Sequence, residues 1–330
     1  MPRKNKRYFK KLHDLAYIRF TSMISFGESK YEAKKNGSIT DKVYAISTYK
    51  AYWWNIKHYL SYLKDNHPDC TTLKKARTYV PEWLEARERQ GLSAWTIQTE
   101  AKALGKLFGI RPTDSDYYNP PKRLRANIKR SRRPVISDKR FSETKNKEFV
   151  QFCKHTGLRR SEIRKLRGKD LRSREQIIIE LSEALSGSLH ARALEDALLF
   201  ENEYFLYVVG KGGKERYSPI IGENVDEIVA RIKATPPENK VWPHVHTSAD
   251  IHSYRSEYAT IIYKKYAVDI DLIPKDKMNK GTGKMYQSGV YFCRKDERGK
   301  KLDKKAMRLA SAALGHHRLE IVANNYIRGL

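Results

Sequence analysis

Cysteine is scarce in this chain, and where it occurs it is scattered. Cys70, Cys153 and Cys293 lie far apart, with no Cys-x-x-Cys among them. That speaks against a zinc ribbon and a disulfide framework, and for a reducing compartment. Long apolar runs are missing as well. None approaches the roughly 18 residues that a membrane-crossing helix needs, so no membrane association is expected. The basic N-terminus, Met1 to Lys11, has no apolar stretch behind it and does not read as a secretory signal. Acidic residues are in deficit, 38 against 66 lysines and arginines, for a net charge of +28 at pH 7. That excess is more than solubility needs. It points to a polyanionic partner, because each neutralised phosphate releases counterions. There is no internal repeat. No Gly-x-x-x-x-Gly-Lys-Ser/Thr spacing marks a nucleotide site. His244 and His246 have no carboxylate or cysteine at a ligand spacing, so no metal is expected. No aromatic RNP-type strand motif favours RNA.

What is present is enough for two domains: 330 residues, 40% of them hydrophobic. Residues 1–39 read as a basic arm. Residues 40–110 read as a small helical bundle, in which Tyr49, Trp53, Ile56, Leu60 and Leu63 recur at helical steps and Lys50 and Lys57 lie on the polar side. A second helix is predicted over Val80–Arg89, stopped by Gly91, and a third from the cap Ser93 through Phe108. Residues 111–135 form a linker with Pro112, Pro120, Pro121 and Pro134. Between Lys122 and Arg133 it holds seven basic residues, Arg123, Arg125, Arg130, Arg132 and Arg133 among them, and no acid. Proline and like charge oppose a helix there, and a strap along a nucleic-acid backbone is the reading.

The second domain, 136–330, is predicted to open with a helix over 141–155 that Gly157 stops. A short helix over 161–166, a strand over 176–180 and a helix over 181–200 follow. A hairpin brackets Gly210-Lys211-Gly212-Gly213 between aromatic and β-branched runs, and a second hairpin is expected over 285–301.

Several local patterns carry chemistry. Thr156-Gly157-Leu158-Arg159-Arg160-Ser161-Glu162 places Arg159 at a helix start. Lys211 stands at a glycine-flanked hairpin tip. His252-Ser-Tyr-Arg255 puts a histidine and an arginine on one helical face. Leu314-Gly315-His316 precedes Tyr326. Each is weak alone, since a lone helix-start arginine or a turn lysine is usually just solvated. In this order the set resembles the tyrosine recombinases, the superfamily of phage-type integrases, over most of the chain.

The resemblance implies a mainly α fold with a small antiparallel β component. It would comprise an N-terminal helical core-binding (SAM-like) domain and an α+β catalytic domain, forming a C-shaped clamp around DNA. It implies a site-specific recombinase that cleaves and rejoins DNA through a 3′-phosphotyrosine and a Holliday junction, integrating or excising a mobile element. Tyr326 would be the nucleophile and Lys211 the general acid for the leaving 5′-oxygen. Arg159 and Arg255 would hold the phosphate oxygens, His252 would assist proton transfer, His316 would bond the phosphate, and Glu162 would orient these groups. No cofactor is implied. The expected partners are a double-stranded recombination site, further copies forming a homo-tetramer on a pair of sites, and an accessory DNA-bending protein. The expected location is the cytoplasm, on the nucleoid.

Three departures stand out. The family usually spaces late histidine and tyrosine by nine positions; here 326 − 317 = 9 and 326 − 316 = 10, so His317 and His316 are both candidates, with Leu-Gly-His favouring His316. The 181–200 and 264–305 segments lengthen the intervals between motifs, and 264–305 carries thirteen basic and six acidic residues. Only four residues follow Tyr326, so protomers are expected to assemble by contacts other than a C-terminal tail. The rival readings are a type IB topoisomerase-like enzyme and a non-catalytic architectural DNA-binding protein.

Overall fold

A computed structural model describes residues 3–37, 42–123, 141–210, 213–293 and 297–327. The chain is mainly helical with small antiparallel sheets. It divides into two compact units, Met1–Ser131 and Arg132–Leu330.

Among the described residues the elements of the first unit are helices, α1 (Arg3–Thr21), α2 (Lys30–Lys35), α3 (Ile46–Asn66), α4 (Leu73–Thr78), α5 (Val80–Arg89) and α6 (Ala94–Phe108), with one isolated bridge between Ile24 and Val43. Its core joins Ile56, Leu60 and Leu63 of α3 to Leu104 and Leu107 of α6. Local chemistry sets the helix ends. Ser93 accepts the Thr96 N–H as N-cap of α6, and Gly109 closes that helix at φ 70°. The segment expected to be an arm departs from that expectation. Leu12, Ala16 and Phe20 repeat every fourth residue, and α1 buries that stripe against α3, with Phe20 stacked 5.1 Å from Tyr49. The density of lysine and arginine there had hidden the stripe. The linker's first part is also held. Arg77 forks Asp116 and reaches Asp114 at 2.7 Å, and Gln98 donates to the Pro121 carbonyl.

The second unit begins with α7 (Lys147–Thr156), α8 (Arg160–Ile163), strand β1 (Leu171–Ser173), α9 (Arg174–Glu183) and α10 (Leu189–Leu198). Then come β2 (Tyr204–Val209), β3 (Glu215–Pro219), α11 (Val225–Lys233) and α12 (Ile251–Tyr266). Short hairpins β4 (Lys277–Met278)/β5 (Met285–Tyr286) and β6 (Val290–Phe292)/β7 (Lys301–Asp303) lead to α13 (Lys304–Ala313) and α14 (Leu319–Asn325). β1, β2 and β3 form one antiparallel sheet in that order, with Tyr207 opposite Tyr217. Buried Phe205, Tyr258, Ala259, Met307, Ala310 and Val322 share one core, which sets α12, α13 and α14 beside the sheet.

Three sequence expectations are corrected here. Residues 176–180 are helix, because Ser173 caps α9 through the Gln176 N–H while Gln176 Oε1 accepts the Ser173 N–H. This reciprocal cap outweighs the β preference of three isoleucines, of which only Ile177 is buried. The 181–200 helix is interrupted between Glu183 and Leu189, where Gly187 sits at φ 73°. The helix expected over 141–155 begins only at Lys147.

Candidate active site

The centre of the second unit is a carboxylate, Glu162, 5% exposed, at the third position of α8. Gly157 ends α7 at φ 60°, and the Tyr258 ring lies where any side chain would start, so the chain turns sharply into Arg159. Glu162 Oε2 accepts the Arg159 backbone N–H at 2.6 Å, and its Oε1 accepts Arg159 Nη1 at 2.6 Å. From β3, Arg216 closes a bidentate fork on the same carboxylate, at 3.0 and 2.8 Å. Burial by itself would raise the Glu162 pKa. The Arg216 fork and its charge override that and hold the carboxyl at about 2.

The C-terminal end of α13 brings the arginines together. Its last carbonyls have no helical partners and carry the negative end of the helix dipole. Ala313 O accepts Arg216 Nε at 3.1 Å, while Leu314 O accepts Arg255 Nη2 at 2.5 Å and Arg159 Nη2 at 3.5 Å. Arg255, on α12, is 1% exposed and also donates to the Gly157 carbonyl. Burial, and then the neighbouring Arg216 and Arg159, push its pKa down to about 10.

Beyond Gly315, at φ 67°, His316 turns inward. Its Nε2 lies 3.0 Å from Tyr326 Oη and 3.4 Å from Arg159 Nη2. Burial, reinforced by Arg255, Arg159 and Arg216, lowers its pKa to about 4, so the ring is neutral at pH 7. Its Nε2 is then free to accept the tyrosine proton in a hydrogen bond, with the other nitrogen protonated. His317 takes φ 52° and points elsewhere, 3.7 Å from the Asp196 carboxylate. Tyr326 caps α14 and is 6% exposed. Its carbonyl accepts Ser256 Oγ at 2.5 Å, and the Arg255 guanidinium stands 5.5 Å from its ring centre. His252 approaches the same ring edge-on at 5.3 Å between centroids.

So the structure gathers Arg159, Glu162, His252, Arg255, His316 and Tyr326 in one place and leaves His317 outside. Lys211 lies outside the described residues. The hairpin it belongs to starts beside the cluster, since a Cβ on Gly210 would sit 3.5 Å from Arg159 Nη1. Arg216 is the member that sequence reasoning missed. Nothing marked it among 66 basic side chains, since it follows Lys214 and Glu215 and reads as one more charge at the start of a strand.

Of the expected DNA contacts, Lys50 and Lys57 are exposed on α3, and the Arg123 guanidinium lies 5.9 Å from the Trp95 ring centre. Arg125, Arg130, Arg132 and Arg133 lie outside the described residues. Among those described, no three His, Cys, Asp or Glu side chains cluster as a metal site, and no helix is long and apolar enough to cross a membrane.

The chain matches no protein-family model and no curated protein. Among solved structures it is similar to the crystal structure of XerA recombinase, with 14% identity over 98% of this chain and 94% of that one, at a TM-score of 0.28.

Proposed function

We propose that the chain is a tyrosine-type DNA recombinase that cuts and reseals DNA strands through Tyr326. One observation carries the reading: three guanidiniums, Arg159, Arg216 and Arg255, surround a single carboxylate beside a buried tyrosine hydroxyl. The surplus positive charge costs free energy in a site this dry, and a phosphodiester would neutralise it.

The chemistry follows from those positions. Tyr326 Oη attacks the phosphorus, and the bond to the 5′-oxygen breaks, leaving the DNA on the tyrosine through its 3′-phosphate. Charge that accumulates on the nonbridging oxygens meets the forked donors of Arg159 and Arg255. Glu162, held by Arg216, keeps Arg159 in place without touching DNA. His316 accepts the tyrosine proton, and its basicity rises once the phosphate offsets the arginines that depress it. The sequence expectation had His316 bond the phosphate and His252 assist proton transfer; on this reading His316 takes the proton and His252, at the edge of the ring, assists. Lys211 protonates the leaving oxygen. The step conserves bond energy, so resealing by the freed 5′-hydroxyl needs no ATP or metal.

The helical unit and the basic 122–133 segment contact the duplex backbone. On this reading the DNA partner is a recombination site, the protein acts as a tetramer through a Holliday junction, and the task is integration or excision of a mobile element.

The test is covalent capture. Nicked suicide duplexes of randomised sequence are incubated with protein, denatured and sorted for protein-bound strands. Wild type is expected to retain DNA whose sequence converges on a site, and Tyr326→Phe to retain none. Equal background retention by the two proteins would sink the reading. Adducts without sequence convergence, with relaxation of supercoils by the monomer, would favour a topoisomerase.

A further inference from the structure

Two surfaces of the second unit are both rich in exposed apolar side chains and opposite in charge. Residues 174–203 carry seven acidic and two basic side chains in a chain of net charge +28. Helices α9 and α10 pack together and turn Ile177 and Leu194 to the core. Ile178, Ile179, Leu185 and Leu189 remain outside, the last two 81% exposed, and Glu175, Glu183 and Glu195 are exposed with them.

The other surface belongs to the basic 264–305 segment. Every residue from 274 to 286 is exposed, although the stretch contains the paired strands β4 and β5. Met278 faces Met285 and Lys277 faces Tyr286 across the ladder, with Lys275, Lys280 and Lys284 around them. A two-stranded ladder with no buried side chain is marginal in water. Yet its base is fastened: Gln287 Nε2 donates to the carbonyls of Ile270 and Ile273 at 2.7 and 2.5 Å, and Asp276 accepts from Ser288 twice. Exposed methionines and a tyrosine on a ladder held out from a fastened base mark a contact surface.

We propose that the β4–β5 hairpin of one copy docks on the α9–α10 face of a second copy of this chain. Methionine and tyrosine would cover the isoleucines and leucines, and the lysines would meet the glutamates. Charge decides the occupant. Copies of a chain at +28 repel one another unless surfaces of opposite sign meet, and the acidic α9–α10 face supplies that surface. A DNA backbone would satisfy the lysines and leave Met278 and Met285 uncovered. The contact joins two different patches, so it is of the heterologous kind, in which each copy offers one face and receives the other. It does not depend on the chemistry assigned to Tyr326.

Sedimentation velocity on the full chain without DNA tests it. Wild type is expected to self-associate as concentration rises. Glu183→Lys and Lys284→Glu should each weaken association by roughly tenfold, the scale of one close interfacial charge pair, and the double variant should recover it. Leu185→Ser should weaken it without altering charge. All three positions are exposed, so melting temperatures should not move. A wild type that stays monomeric, or single variants that associate unchanged, would overturn the contact. Lys284→Glu that lowers affinity for duplex DNA by fluorescence anisotropy, with association intact, would also overturn it and assign the hairpin to DNA.

Discussion

Glu100 in the helical unit and Glu162 in the mixed unit are both nearly inaccessible, at 2% and 5% exposure, and each accepts an arginine fork. Arg87 holds Glu100 at 2.9 and 3.1 Å; Arg216 holds Glu162 at 3.0 and 2.8 Å. The first pair is balanced, one cation to one anion, and lies between α5 and α6 as a link in a helical core. The second shares its carboxylate with Arg159 and lies close enough to Arg255 that Arg216 and Arg159 add to burial in lowering the Arg255 pKa. The same interaction therefore has two uses. Where charge is balanced, the pair serves packing. Where cations outnumber anions in a dry site, the protein has stored an electrostatic demand that an anionic ligand can meet.

The sharpest way to break the comparison is to remove each carboxylate. Glu162→Ala should destabilise its unit by about 3–5 kcal/mol, because it leaves the buried Arg216 guanidinium without its anion, and Glu100→Ala should cost less, because Arg87 is only half-buried and keeps Gln90 and the Trp83 ring. Denaturant titration reads this directly. Replacing both partners separates the two pairs. Arg87→Met with Glu100→Leu should restore most of the stability and leave DNA cleavage alone, whereas Arg216→Met with Glu162→Leu should restore stability and lose cleavage. Cleavage that survives the second double variant would remove Glu162 and Arg216 from the site.

Next in size is Arg159→Lys. It keeps the charge and loses the fork, and should lower the rate of covalent adduct formation about 10²–10³-fold with little change in melting temperature. A rate within a fewfold of wild type would mean that Arg159 only supports structure, as Arg87 does.

The imbalance also has a pH signature. His316 has its pKa lowered from 6.5 to about 4, so below pH 6.5 the unfolded chain takes up a proton that the folded chain refuses. Stability should therefore fall as pH drops from 6.5 towards 4. Glu162, lowered to about 2, adds a further loss below pH 4.5. Melting curves of wild type and His316→Gln should diverge in the upper window, the variant losing less. Parallel curves would contradict the lowered histidine.

The smallest expected effect lies on the helical unit's surface. Lys50→Ala and Lys57→Ala should each weaken DNA binding slightly and reduce the slope of log affinity against log salt by about one, if each meets a phosphate. An unchanged slope would make them solvated residues of α3.

Much of the helical unit was legible because its signals are local. Ser93, Gly91 and the run of apolar residues in α3 act over one or two turns, and α5 spans the predicted residues. Two misreadings came from letting composition outvote such signals. Lysine and arginine obscured the Leu12–Ala16–Phe20 stripe of α1, and three isoleucines obscured the Ser173–Gln176 cap of α9. The site was legible in part for a similar reason. Gly157 before Arg159, the His252–Arg255 spacing and Leu314-Gly315-His316 each leave a mark in sequence. Arg216 leaves none, because its role is defined by Glu162, 54 positions away.

By itself the sequence determined the charge of the molecule, most of its helices, and which side chains were candidates for one cationic cluster. These depend on composition and on neighbours within a turn or two. Only the tertiary structure decided that Arg216 shares Glu162 with Arg159, and that His316 faces Tyr326 while His317 turns to Asp196. Those choices follow from how α13 ends against α12 and β3. There the helix's unpaired carbonyls draw three arginines to one point, and the turn at Gly315 sends one histidine inward and the next outward.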